Sequence, residues 1–461
     1  MSAPSRRATL PRAALEWASR RVGGSAVSDE LSATVVAGAS GTALIQGGIL
    51  LLTTVSTVVL TRILGPSGYG AYAYALTWAL LLASPALLAM PPLLVRKIAE
   101  YETRREWGLM RGIIRRFNAV SLTSAFVVAG LGAVAGWLLI GDDTRLFRPF
   151  LVGLLLVPLI AFASLRAAAM QGLGRVVRGR IPEPLHLLLF VPAIVVAYVA
   201  LGHRFDATWA VAAFVATAAL VQPLGVVLLR RSLPREAKEA SPEYEDRSWA
   251  RSAAPLATLS VIAPLSSELG IVMLGAIKGA DAVGIFSVAS RAALFVSFLF
   301  GASMYSLLPV LARLYAAHDH ESLQRVLTRS ARVLSVLTIP LAAGLILFAG
   351  PVLSIFGPGF EGGVTPLRIL AVAYFVNVVG GFSGATLLMT GNEKALMKGT
   401  AVTAVLFIAV SAALIPLYGP TGAAVATAVQ IVATNVLFSL LLWKHERLLA
   451  PAVIPRGLGG G

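Results

Sequence analysis

The sequence predicts an all-α polytopic membrane protein, with about twelve transmembrane helices in two six-helix lobes related by a parallel pseudo-two-fold. Three observations predict it. Hydrophobic residues make up 57% of the 461 and charged residues 13%, with mean hydropathy +0.81; soluble domains carry about 25% charged residues. Most of the chain divides into apolar runs of about 20 residues, the length that crosses a bilayer as a helix, without the short alternating strands of a membrane barrel. A glycine- and proline-rich turn between two apolar runs, at residues 60–75 (LTRILGPSGYGAYAYA), returns near residues 275–289 and 418–428. Gly65, Gly68 and Gly70 supply the positive φ of a tight reversal, and Pro66 is expected to stop the first helix.

Taken in order, the spans fall at about 39–63, 71–95, 118–140, 149–171, 183–202, 208–229, 252–277, 282–312, 333–356, 364–391, 396–418 and 420–443. The eighth and tenth runs exceed the bilayer thickness and are expected to tilt or project into water. Residues 1–38 precede the spans without the apolar core of a cleavable signal peptide. Within them, residues 10–22 suit a short basic amphipathic helix on the membrane surface or a disordered tail. A charged cytoplasmic linker at 230–251 separates an N-terminal lobe, 39–229, from a C-terminal lobe, 252–443. A cytoplasmic tail, 444–461, ends in glycines expected to be disordered. The turns at 65–70 and 275–284 are each the first reversal of a six-span set, so the halves are parallel repeats enclosing a central cavity, an alternating-access arrangement.

Net charge is +16. Of the 38 Lys and Arg residues, 30 fall in the segments on one side of this parse, five on the other and three within spans. That bias places both termini in the cytoplasm of a multi-pass protein of the cell (inner) membrane and assigns the charge to anionic lipid rather than nucleic acid. The chain has no cysteine, so thiolate chemistry is excluded. There is no Walker A motif, and Gly172-Leu-Gly174 follows no strand, so neither a P-loop pump nor a dinucleotide site is expected. His318-Asp319-His320-Glu321 reads as a solvated helix start rather than a metal site. No cofactor is expected. With the loops opposite the basic side only about four to ten residues long, no site for an integral enzyme is expected either.

Charges within spans are the informative features, because each costs about 2.5–3.5 kcal/mol to insert. Glu268 and Arg291 flank the second-lobe turn at matching depth, about 10–13 Å from it. They form either a structural ion pair or a cavity site in which Arg291 meets an anion and Glu268 serves as counter-ion or ion carrier. The corresponding first-lobe positions are Val58 and Thr77. Arg166 and Arg368, near span ends, either face substrate or snorkel to the interface. Arg62 and Arg96 lie at span ends, while Gln46, Asn377 and Asn435 are amides in apolar helices that bond ligand or neighbouring helices. The candidate substrate-binding set is Arg291, Glu268, Arg166, Arg368, Arg62, Arg96, Gln46 and Asn377. Pro85, Pro91 and Pro92 interrupt the second span, and Pro255 and Pro264 the seventh, as kinks that are static or act as hinges.

The segment LTRILGPSGYGAYAYALTWALLLASPALLAMPPLLVRKIAEYE resembles the opening of the polysaccharide exporters. These are the lipid-linked oligosaccharide flippases of the multidrug/oligosaccharidyl-lipid/polysaccharide exporter superfamily. The stretch GIVMLGAIKGADAVGIFSVASRAALF is similar to their second-half block, with Phe286 in place of Tyr. The resemblance covers about residues 39–445. It implies a flippase that moves an undecaprenyl- or dolichyl-type pyrophosphate glycan from inner to outer leaflet for cell-surface polysaccharide or lipopolysaccharide synthesis, with cavity arginines on the pyrophosphate. Partners are then the lipid-linked glycan, membrane lipids and glycan-synthesis proteins. The family block usually begins with Asp or a similar polar residue before its Met-Leu-Gly step, whereas the nearest acid here is Glu268, six residues before Leu274. Alternatives are a proton- or Na⁺-coupled multidrug antiporter of the same superfamily, an integral membrane enzyme, and a non-transporting scaffold.

Overall fold

The structure, a computed structural model, describes residues 26–140, 144–448 and 450, with side chains from residue 45 onward except 139–144, 253–267, 305, 306 and 309. The expected surface helix at 10–22 and the terminal glycines lie outside the described residues, as do the side chains of Pro255 and Pro264. No strand occurs among the described residues. The helices in the N-terminal lobe are α1 (Ala26–Ala86), α2 (Met90–Arg104), α3 (Trp107–Ile140), α4 (Thr144–Gly153), α5 (Leu156–Gly172), α6 (Val176–Arg180), α7 (Pro182–Leu201) and α8 (Ala207–Ser232). After α9 (Arg235–Glu239), the C-terminal lobe holds α10 (Asp246–Ala316), α11 (His320–Leu347), α12 (Ala349–Ser354), α13 (Val364–Gly380), α14 (Ser383–Met389), α15 (Glu393–Tyr418) and α16 (Pro420–Glu446).

Ten described stretches are long and apolar enough to cross a membrane. Two of them, in α1 and α10, are each broken by one non-helical glycine, Gly65 and Gly279. Twelve segments result, in a multi-pass membrane protein. Their outer faces stay apolar: Val199 is 77% exposed and Leu417 72%, which is stable against lipid and costly against water.

The backbone repeats. Gly65 (φ 67°, ψ −176°) and Gly279 (φ 79°, ψ −173°) take nearly the same conformation, one open essentially to glycine alone. Gly202 (φ 53°, ψ −126°) and Gly419 (φ 54°, ψ −126°) match as well. Arg105 and His318 are both left-handed, and each is followed by the same bond back to the helix, Glu106 N–H to the Tyr101 carbonyl and Asp319 N–H to the Leu314 carbonyl. Gly174 and Gly391 form a third matching pair of helix ends. The pairs lie roughly 215 residues apart, and this even offset is what two six-helix units in parallel produce.

Three details differ from the sequence reading. The first helix stops at Gly65, and Pro66 begins the next segment, where its missing N–H costs nothing. The second-lobe turn sits at Gly279, so Thr54 rather than Val58 corresponds to Glu268. The tenth run does not continue as one long helix: Gly381, at φ 73°, divides it into α13 and α14. In the second span the break falls at Leu88 and Ala89, both left-handed, between Pro85 and the prolines that open α2.

The lobes meet at the end of the molecule carrying Gly65 and Gly279, here the turn end. One buried cluster there draws on both lobes, with Leu60, Tyr69 and Tyr72 from the first and Leu274, Val283 and Phe286 from the second. The backbones touch: a Cβ on Gly284 would strike the Pro66 carbonyl, and one on Gly70 the Ala280 carbonyl. At the opposite, loop end the cores are separate. One contains residues between Met90 and Trp249, the other residues between Leu311 and Ala450. Two lobes sharing a core at one end and holding separate cores at the other make a V that opens at the loop end.

The linker is docked on the first lobe. Trp249 Nε1 donates to the Tyr101 hydroxyl at 2.8 Å, Arg116 pairs with Asp246 at 2.6 Å, and Glu243 N–H donates to the Gly108 carbonyl at 3.0 Å. Gly108 and Gly112 lack the side chain that would exclude Glu243. At the start of α11, Asp319 caps the helix by accepting from Ser322 N–H at 2.9 Å, and that bond holds its carboxyl below the usual carboxylate range.

Candidate functional site

The apolar pattern of α1 and α10 lays residues 45–64 and 280–302 side by side, with the loop-end part of the pair parted by a cleft of about 380 Å³. Gln46, Ile49, Leu50 and Thr53 line it from the first lobe, with Arg291, Ser297 and Phe298 from the second. Arg291 is twelve residues past Gly279, and Thr53 twelve before Gly65. At 1.5 Å per residue both stand about 18 Å from the turn end, near mid-membrane. From there the cleft runs toward the loop end, so Arg291 and Thr53 mark its closed end.

Arg291 carries the only charge among the described residues lining the cleft. Its guanidinium makes no hydrogen bond or ion pair among the described residues, but its field reaches the Tyr72 and Tyr374 hydroxyls. Glu268 acts on Tyr374 as well. Tyr374 is therefore near both Glu268 and Arg291. With the turn at Gly279, Glu268 lies about 17 Å from it, one helical turn deeper than the sequence predicts. Ser297 Oγ is buried with no partner among the described residues, whereas Thr53 Oγ1 is spent on the Ile49 carbonyl at 2.6 Å. Beside the Arg291 guanidinium, the cleft carries the polar side chains of Gln46, Thr53 and Ser297 among apolar walls.

The structure distributes the other candidates. Gln46 joins Arg291 in the cleft. Asn377 accepts from Asn435 Nδ2 at 2.9 Å, an interhelical bond between α13 and α16. Arg62 and Arg368 are exposed at the turn end, where Nε of each donates to a carbonyl, Ile355 at 2.9 Å and Ile346 at 3.0 Å. The Arg62 bond crosses from one lobe to the other. Arg96 is exposed on α2 beside the Lys97–Glu100 pair. Arg166 is buried in the first lobe, well apart from the cleft lining; it donates to the Phe162 carbonyl and to the Gln222 carbonyl and side chain. The sequence reading did not find Thr53, Ser297, Phe298 or Tyr374. The positive-φ glycine at 279 carries their register, since counting from it puts Thr53 and Arg291 at equal depth.

Twelve apolar segments, a two-lobe repeat and a polar cleft between the lobes define a membrane transporter. Residues 35–315 match the polysaccharide biosynthesis protein family, and residues 255–413 match the MatE family. The first match spans more than half of the chain, which belongs to that family and is a transporter of the multidrug/oligosaccharidyl-lipid/polysaccharide exporter superfamily. The chain is 30% identical over 190 residues to the probable flippase AglR of Haloferax volcanii, a match covering 40% of each protein. Among solved structures, an inward-facing multidrug resistance MATE transporter of the superfamily aligns at TM-score 0.69 and 15% identity, covering 88% of this chain and 98% of that one. The MATE transporter DinF-BH in complex with R6G aligns at 0.65 and 18%, covering 89% and 95%. A transporter from Pyrococcus furiosus, described by the reverse polarity of its binding pocket, aligns at 0.56 and 15%, covering 90% and 94%. At these identities the structures speak for the fold alone. The matched families and neighbours are transporters and flippases rather than catalytic enzymes.

Proposed function

We propose that this protein is an alternating-access flippase that carries a lipid-pyrophosphate-linked oligosaccharide from the inner to the outer leaflet for cell-surface polysaccharide synthesis. The observation that carries the reading is Arg291, the single charge among the described residues lining the cleft between the lobes. A guanidinium at mid-membrane costs about 2.5–3.5 kcal/mol to place, and an anionic cargo offsets that cost. Its planar donors match phosphate oxygens two at a time. The cargo's isoprenoid tail stays in the bilayer beside the apolar helix faces. The basic bias of the loop end orients it toward the cytoplasm of the inner membrane with both termini inside, so the V as seen would load from the cytoplasmic side. Family membership and the likeness to a probable flippase support a glycan-bearing lipid as cargo.

The likeness to multidrug transporters supports a second reading, a proton- or Na⁺-coupled drug antiporter. In that reading Glu268 and Tyr374 exchange the ion. A cationic drug in the cleft would face Arg291 at short range, which favours the first reading.

The test is complementation of a strain lacking its lipid-linked-glycan flippase, with a blot for membrane abundance. The wild-type chain is expected to restore surface glycan, and Arg291→Gln to be present in the membrane without restoring it. Restoration by Arg291→Gln would remove Arg291 from the mechanism.

A further inference from the structure

A second cavity, of about 580 Å³, lies within the first lobe at its loop end, between α3, α5, α8 and the short helix α9. Its lining includes Arg111, Arg115, Arg166, Arg230 and Lys238, with no Asp or Glu among the described lining residues. These cations are set into helices. Arg111 lies four residues into α3, Arg166 six from the end of α5 and Arg230 two from the end of α8. The site is therefore within about 3–9 Å of the helix ends, the depth of lipid headgroups. Exposed Val120 and Val227 continue the same helices toward lipid.

None of the five cations makes an ion pair among the described residues. Arg166 is only 4% exposed, yet its donors are used on neutral acceptors, the Phe162 carbonyl and the carbonyl and side chain of Gln222. A Cβ at Gly225 would meet the Arg166 guanidinium. Arg111 Nη1 donates to the Ala240 carbonyl at 2.6 Å, again neutral. Arg115 lies one helical turn past Arg111, a like-charge spacing that destabilises a helix unless an anion intervenes. Asn118 Oδ1, on the same helix, is buried with no partner among the described residues. Arg166 is the buried cation of the five, and a buried charge without a counter-charge is costly; Arg111 is half-buried and Arg115, Arg230 and Lys238 are exposed at the rim, open to an anion arriving from outside.

We propose that this pocket is an anion site of the first lobe, separate from the cleft, and that it binds a phosphate group. Arg115, Arg230 and Lys238 reach the ligand from the rim, and Arg166 supplies positive charge at the base. Because α9 roofs the pocket and Arg111 ties down Ala240, occupancy would fasten the linker to the lobe. The site does not depend on what the cleft carries.

The test uses the full chain, purified into phosphatidylcholine nanodiscs, with retention of added lipid followed by native mass spectrometry. The probes are short-chain phosphatidylglycerol and inorganic phosphate. The variant Arg115→Gln/Arg230→Gln/Lys238→Gln removes three cations that make no side-chain hydrogen bond among the described residues. The Lys394→Gln/Lys398→Gln variant of the second lobe is the charge control, and Arg115→Lys/Arg230→Lys keeps the charge. At about fivefold per cation near the membrane surface, the triple variant should bind about a hundredfold more weakly, while the control and the lysine variant bind as wild type. Phosphatidylglycerol retained without competition from phosphate identifies a lipid headgroup; competition by inorganic phosphate identifies the free ion. Equal binding by the triple variant and wild type, or binding of neither probe by wild type, overturns the proposal. Each of these results can be read whether or not Arg291 supports flux.

Discussion

Arg291 and its neighbours set the terms at the scale of single residues. The guanidinium faces the cleft, while Tyr374 sits in the fields of both Arg291 and Glu268. A charge-assisted hydrogen bond contributes about 1.5–3 kcal/mol. Arg291→Gln should therefore weaken binding of a short-chain isoprenyl pyrophosphate glycolipid by about ten- to a hundredfold, and Arg291→Lys, which keeps the charge but loses the fork, should fall between. Equilibrium binding in detergent reads both. Glu268→Gln should keep flux within about threefold if Glu268 only balances the local field; flux that becomes insensitive to pH and Na⁺ gradients would instead make it the ion carrier. Arg291, Glu268 and Gln46 could be picked out of the sequence because charged or amide groups are rare in apolar runs. Ser297, Thr53 and Tyr374 could not, because Ser, Thr and Tyr are common in such helices and only register singles them out. Arg111, Arg115, Arg230 and Lys238 look like loop charges in the sequence, yet they line a pocket because α3 and α8 extend past the apolar runs.

At the scale of elements, the glycines that break α1 and α10 carry the architecture. Gly279 has φ 79° and ψ −173°, where a Cβ is strained whatever space surrounds it. Gly279→Ala should cost about 1–3 kcal/mol and lower the thermal midpoint in detergent, whereas Gly48→Ala, which meets open space in a helix, should not lower it. Gly284 acts differently: its helix is regular, but a side chain there would push on the Pro66 carbonyl across the lobe boundary. Gly284→Ala should loosen the turn end and raise the reactivity of a cysteine placed at Tyr69, which is buried in the shared core. All twelve spans can be read from the sequence because apolar run length is a strong signal. The breaks at Ala89 and Gly381 are hidden within continuous apolar stretches, where membrane helices tolerate glycine and proline without ending.

At the scale of the whole molecule, the described state joins the lobes through the turn-end core and the Arg62–Ile355 bond. The proposed alternating-access cycle would separate that core and bring the loop ends together. The linker as far as Trp249 should move with the first lobe, held by the Trp249–Tyr101 bond and the Arg116–Asp246 pair. The sequence suggested the two-lobe repeat through its turns and its charged linker, but not which end is closed. That depends on backbone contacts such as Gly70 with Ala280, which no composition reveals.

The most direct measurement is transbilayer flux in proteoliposomes offered two cargoes, a fluorescent isoprenyl-pyrophosphate oligosaccharide and a cationic dye. A cleft whose single charge among the described lining residues is Arg291 should move the anionic lipid, lose that flux in Arg291→Gln and leave the dye behind. Movement of the dye with the anionic lipid left behind, or full lipid flux in Arg291→Gln, would contradict it.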